Sequence, residues 1–217
     1  MSDIARRRTD AATGTAFAVL LTVALLLPGP PPKAEDSVRT ITALLLEKRT
    51  AFLVGSYVAG IATIAYLWFL GAVDDFLRAR GTAGYAGAAA AGGVFAIVVV
   101  LVGMVMFGGV AFVAAGLGDD AVVRALTDTG NMVIETSKFG FAVLVLAVSR
   151  SGATNGVLPR WLLALGAVAV PLLVVSAVAL FVDHGPFQFG GVVDLGGTVP
   201  ALLWIVGLSV VMFRRAS

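Results

Sequence analysis

The stretch RALTDTGNMVIETSKFGFAVLVLAV, residues 124–148, joins a polar helical face to an apolar run, and its reading decides the fold. Arg124, Asp128, Asn131, Glu135 and Lys138 follow one another at spacings of four, three, four and three, which on an α-helix makes one stripe. The uncharged part, Phe139 to Val148, is too short to cross a bilayer, because a spanning helix needs about 17 residues or more. Counting back that far from Val148 reaches Met132, so a helix that crosses at all carries Glu135 and Lys138 inside the membrane. Asn131 then sits at the boundary, with Asp128 and Arg124 above it in water. Ionisable groups at bilayer depth are costly and need a partner or a task.

Outward from this stretch the chain is overwhelmingly apolar. Its 217 residues are 59% hydrophobic and 13% charged, with mean hydropathy +0.99; soluble chains run at about 45–50% apolar and about 25% charged. The length accommodates about six spans with short connections and no added soluble domain. We expect an all-α, polytopic bundle forming one integral membrane domain, 1–217, with spans at about 11–27, 51–73, 86–117, 129–148, 161–182 and 192–213. The absence of cysteine removes disulfides, thiol nucleophiles and thiolate metal sites. The Ala, Gly, Val and Arg bias fits a GC-rich bacterial genome, and hence a bacterial cytoplasmic membrane.

Each junction has a physical reading. Arg6, Arg7 and Arg8 precede the first span, which no small-x-small cleavage site follows, so we read a retained helix and not a signal peptide. Pro28 to Pro32 end it. In EDSVRTITALLLEKR, Val38, Ile41, Leu44 and Leu45 share one face and Ser37 is placed to cap, which predicts a short amphipathic helix on the outer surface. Its plainest role is to pack on the bundle; a lid over an outward cavity is the functional alternative. The long third span predicts a tilt or kink near Gly103 or Gly108-Gly109, and its small residues, Ala88 with Gly92 and Ala89 with Gly93, suit a central position. Pro159 fits the first turn of the fifth span, Pro171 should kink it, and Pro200 with Gly196-Gly197 should make the start of the sixth irregular.

With both termini inside, the cytoplasmic side holds nine basic residues: Arg6, Arg7, Arg8, Arg78, Arg80, Arg150, Arg160, Arg214 and Arg215. The outer side holds five: Lys33, Arg39, Lys48, Arg49 and Arg124. That bias predicts an N-in, C-in topology. LWFLG (67–71) and LWIVG (203–207) look alike, but an inverted three-plus-three repeat would pair the second span with the fifth, so chance is the better account.

In EKRTAFLVGSYVAGIA running into LWFLGAVDDFLRAR, in SRSGATNGVLPRWL and in the closing LLWIVGLSVVMFRR, the chain resembles a broad family of uncharacterised bacterial six-helix integral membrane proteins, defined only as a domain of unknown function. The resemblance spans most of the chain and implies a multi-pass membrane protein. It carries no functional residues over, and the Glu135 and Lys138 stripe is not among its features.

The candidate polar site is therefore Asn131, Glu135 and Lys138, extended outward by Arg124 and Asp128. One reading is a buried Glu135–Lys138 pair, tied to Asn131 and to hydroxyls such as Ser56, Thr63 or Ser176, that fixes helix packing. The other is a polar half-channel from the outer face in which Glu135 takes a proton or cation and Lys138 is the counter-charge. Asp194 is the one other ionisable residue in a span, near an outer end. His184, with Asp183, Asp119, Asp120 and Asp194, gives a weak metal pattern that solvated loops explain better. No catalytic or nucleotide motif is present, a bis-histidine haem is excluded by the single histidine, and no cofactor is implied. Basic residues without interleaved aromatics give no case for nucleic acid. The expected partner is the lipid bilayer, with a helix–helix oligomer or another membrane protein beside it. The function classes are a non-enzymatic membrane scaffold or accessory subunit first, a small-molecule or ion transporter or channel second, and, lacking a complete catalytic set, a membrane enzyme last.

Overall fold

The computed structural model describes residues 3–33, 35–182 and 184–215, and every regular element among them is helical. Seven helices carry the fold: α1 (Asp3–Leu26), α2 (Val38–Glu47), α3 (Arg49–Arg78), α4 (Ala83–Gly109), α5 (Asp120–Thr154), α6 (Arg160–Ser176) and α7 (Val192–Arg215). Six segments, all but the one containing α2, are long and apolar enough to cross a membrane. They form a closed ring in chain order. α1 packs on α3, α3 on α4, α4 on α5, α5 on α6, α6 on α7, and α7 back on α1. The start of α1 and the end of α7 thus share one face, here the terminal face; the opposite one is the loop face.

The expected spans are present, and most helices run past them. α1 starts at Asp3 and not Ala11, carrying the triple arginine as helix, with Arg8 over the Phe213 ring at 5.4 Å. α3 continues five residues beyond Val73, where Arg78 Nε donates to Asp74 Oδ2 at 2.6 Å across one turn. α5 is 35 residues long, capped by Asp119, whose carboxylate accepts from Ala121 N and Val122 N at 3.1 Å. At 1.5 Å per residue it is about 52 Å long, well over the roughly 30 Å of a hydrocarbon core.

Ser37 caps α2 as read, accepting from Thr40 N at 3.2 Å. Ile41 and Leu45 are fully buried, packing with Phe52, Phe107 and Val123 in a small apolar cluster beneath the helix. This is the packing role. The irregularity in the third span falls at Gly108-Gly109 and not Gly103: α4 passes into a π-helical segment, Val110–Ala114, then one turn at Ala115–Leu117. The extra residue per turn of a π segment swings the helix end without breaking it. Arg49 Nη2 donates to Phe112 O at 3.1 Å within it.

Three expectations are corrected. α4 is not central: Val94, Phe95, Val98, Val102 and Val105 point outward. A helix apolar all round gives no sequence cue to which face meets lipid and which meets protein. Ala88 is exposed, while Ala86, Ala89, Gly92, Gly93 and Ala96 are buried. α7 runs as unbroken α-helix from Val192 through Pro200, and Gly197 serves close packing: a Cβ there would lie 2.9 Å from Leu172 O of α6. Pro171 lies inside α6, which starts after Pro159 at its N-cap and passes into a 3₁₀ turn at Ala177–Leu180. The two look-alike segments face opposite environments, Trp68 outward and Trp204 fully buried.

The α4–α5 seam is the closest approach in the ring. A Cβ at Gly140 would come within 2.6 Å of Gly92 O and 2.8 Å of Ala96 N, and one at Gly92 within 2.9 Å of Gly140 O. Gly140→Ala is expected to lower stability in detergent by about 1–3 kcal/mol, the usual cost of overpacking. Gly60→Ala, where nothing lies within 4 Å, should be neutral in the same thermal unfolding assay.

Candidate functional site

Lys138 lies near the middle of α5, and its side chain turns into the ring. Its Nζ donates to Glu135 Oε2 at 2.6 Å and to Asp194 Oδ1 of α7. All three residues are buried, at 4%, 1% and 7% exposure, so none is solvated like a surface ion. The expected Glu135–Lys138 pair is present. It is also incomplete, because Asp194 joins it from a helix that is not a ring neighbour of α5.

Asp194 is positioned from the loop as well as from α7. It sits in the first turn of α7, where the helix dipole favours a carboxylate, and its Oδ2 accepts from Gly190 N at 2.7 Å. Gly190 has φ +73°, and a Cβ there would press on Pro31 Cγ at 3.0 Å. Only glycine fits that left-handed, crowded position. Beside it Gln188 Nε2 donates to Glu35 at 3.2 Å, tying the loop before α7 to the segment before α2.

The remaining stripe divides as the depth count requires. Arg124 Nε donates to Asp128 Oδ2 at 2.6 Å, and Arg124 Nη1 donates to Asp36 O at 2.9 Å; the pair is about one-third exposed. Between this pair and Glu135, Asn131 is buried against the rest of the protein at 6% exposure. Thr127 Oγ1, Asn131 Oδ1 and Glu135 Oε1 are buried without a hydrogen-bond partner. Spaced four apart, they form a row of acceptors one turn from the next, reaching from Arg124–Asp128 down to the charged cluster.

The hydroxyls expected near Glu135 are engaged elsewhere. Ser56 Oγ donates to Phe52 O at 2.9 Å and Met104 O at 2.7 Å, Thr63 to Ala59 O, and Ser176 to Leu173 O. Helical Ser and Thr satisfy themselves on the preceding turn, which outcompetes a distant partner. Of the residues weighed for metal, Asp119 caps α5 and Asp194 binds Lys138, while Asp183 lies outside the described residues. Among the described residues no group of three or more His, Asp or Glu side chains is placed to hold a metal ion.

A cavity of about 480 Å³ opens along the ring axis in the half nearer the loop face, and all six ring helices contribute to its walls. The walls are almost wholly apolar, with Leu21, Phe107, Leu173 and Leu202 among them. Polar character is confined to Lys138, Asp194, Ser137 and Thr198 at one side. Glu135 does not reach it. Beneath, Phe141 meets Tyr66 edge-on at 6.0 Å, and Tyr66 packs on Phe17 at 4.3 Å and Phe69 at 6.1 Å, closing the axis with aromatic rings.

Volumes of about 300–1,000 Å³ with apolar walls and a few convergent polar groups are those of small-molecule sites. Comparison with protein-family models, with curated proteins and with solved structures found no match for this chain.

Glu135 and Lys138 were legible in the sequence and Asp194 was missed as their partner. The signal available was that Asp194 is the one further ionisable residue in an apolar span. Lys138→Met strands two carboxylates in an apolar ring and is expected to cost about 3–5 kcal/mol, as when one partner of a buried ion pair is removed. The triple variant E135Q/K138M/D194N should recover most of that loss in the same unfolding measurement. Equal stability of the single and triple variants would show that the charges are not coupled.

Proposed function

We propose that this chain is a membrane transporter that exchanges a lipophilic cation for a proton at the Glu135–Lys138–Asp194 cluster. The observation that carries the reading is a charge imbalance at the side of an apolar cavity. Two carboxylates share one ammonium, which leaves one negative charge without a counter-charge where the dielectric is low. A proton on either carboxylate balances it, and so does a cation in the cavity. These two occupants compete, which is the chemistry of exchange.

Lys138 already serves both acids and offers an anion no unneutralised charge. The apolar walls favour a cation with a hydrophobic body over a hydrated metal ion. Thr127 and Asn131 leave unpaired oxygens one turn apart on the face of α5 above Glu135, so water entering along that face would carry a proton to Glu135 without crossing the cavity. Among the described residues, Lys138 and Asp194 are the titratable groups that line the cavity, and Glu135 stands behind them on Lys138.

A scaffold remains the second reading, favoured by the dry position of Glu135 and by the close α4–α5 seam. The test uses ethidium in proteoliposomes with an imposed pH gradient. Purified protein should accumulate the dye faster than empty liposomes, and E135Q and D194N should abolish the gradient-driven part. Dye binding to the detergent-purified protein should weaken as pH falls, since protons occupy the same charge balance. If protein-containing and empty liposomes behave alike, and E135Q only lowers thermal stability, the scaffold reading stands.

A further inference from the structure

At the terminal face a second cavity, of about 400 Å³, lies where the ends of α1, α3 and α7 meet. Five arginines line it: Arg6 and Arg7 from α1, Arg78 and Arg80 from the end of α3 and the turn after it, and Arg215 from α7. Against them stand Asp10 and Asp75. The positive-inside bias explains why arginines occur at this end of the chain. It does not explain why they converge on one concavity.

Two of the five are held in place. Arg80 stacks on the Phe76 ring with its guanidinium carbon 3.7 Å from the centroid, and its Nη1 donates to Phe76 O at 2.7 Å. Arg78 is fixed by Asp74 at 2.6 Å. Partial burial, and then the neighbouring guanidinium groups of Arg215 and Arg7, push Arg80 below the usual arginine range. Arg7 and Arg215 are both exposed at the rim, one on each flanking helix.

We propose that this arginine-lined cavity binds a phosphate-bearing anion. Guanidinium groups present paired N–H donors that match phosphate oxygens, and their convergence from three helices supplies several such pairs around one centre. The held Arg80 gives a preorganised donor, while Arg7 and Arg215 close from either side. A phosphate there would remove the repulsion among the arginines and tie the two ends of the chain to α3. This proposal does not rest on the transport reading.

The phosphate can come from a lipid headgroup or from a soluble compound, and the experiment separates them. Purified protein is titrated with inorganic pyrophosphate while its thermal midpoint is followed. In parallel, the midpoint in phosphatidylglycerol nanodiscs is compared with that in phosphatidylcholine nanodiscs. A rise with pyrophosphate identifies a soluble ligand site; a rise only with phosphatidylglycerol identifies a headgroup site. In either case R7Q/R215Q should bind about tenfold or more weakly, the loss of one to two charge-assisted contacts. Its ligand-free midpoint should be equal to or above that of the wild type, because two repelling charges are gone. The proposal is overturned if neither arm stabilises the wild type, or if R7Q/R215Q responds as the wild type does.

Discussion

An ammonium held between two carboxylates inside an apolar ring is the constraint on which the rest of the structure depends. Transferring any one of these charges out of water costs several kcal/mol, so each must be placed where another compensates it. Lys138 and Glu135 meet by helical spacing alone, but Asp194 must be brought across the ring from α7. The left-handed turn at Gly190, its contact with Pro31 and the Gln188–Glu35 bond hold the start of α7 where the carboxylate reaches Lys138. The loop-face connections, irregular in sequence, are therefore positioning elements of the buried cluster.

Periodicity and the depth count made much of the fold and part of the site legible. The six spans, the capped amphipathic helix and the division of the stripe into a wet pair and a buried pair follow from local rules that tertiary contacts do not override. What was hidden depends on which helix faces which. α4 is apolar on every side, so its place in the ring wall was invisible, and Gly197 looked like a helix breaker when it is a packing site. Asp194 could be counted as an ionisable residue in a span, but nothing in the sequence placed it opposite Lys138. Hydroxyls were a poor guide for the opposite reason: Thr63 and Ser176 are satisfied within their own helices.

The ring axis is divided into three zones. Near the loop face lies the apolar cavity with its charged side, and at mid-depth the rings of Phe17, Tyr66, Phe69 and Phe141 fill the axis. At the terminal face lies the arginine-lined concavity. The two cavities thus have opposite electrostatic character and share no lining residue. Tyr66, fully buried with a hydroxyl that has no hydrogen-bond partner, sits at the centre of the barrier between them.

Because every helix in the ring packs beside its predecessor in the chain, assembly can proceed in the order of synthesis until one contact remains. α1 and α7, the first and last spans, are the only ring neighbours distant in sequence. The wall stays open until α7 enters, and the same helix delivers Asp194 to Lys138. Closure of the ring and completion of the charge cluster are thus one event, the arrival of α7. A nascent chain that stalls before residue 194 therefore has an unclosed wall and a Glu135–Lys138 pair without its third member.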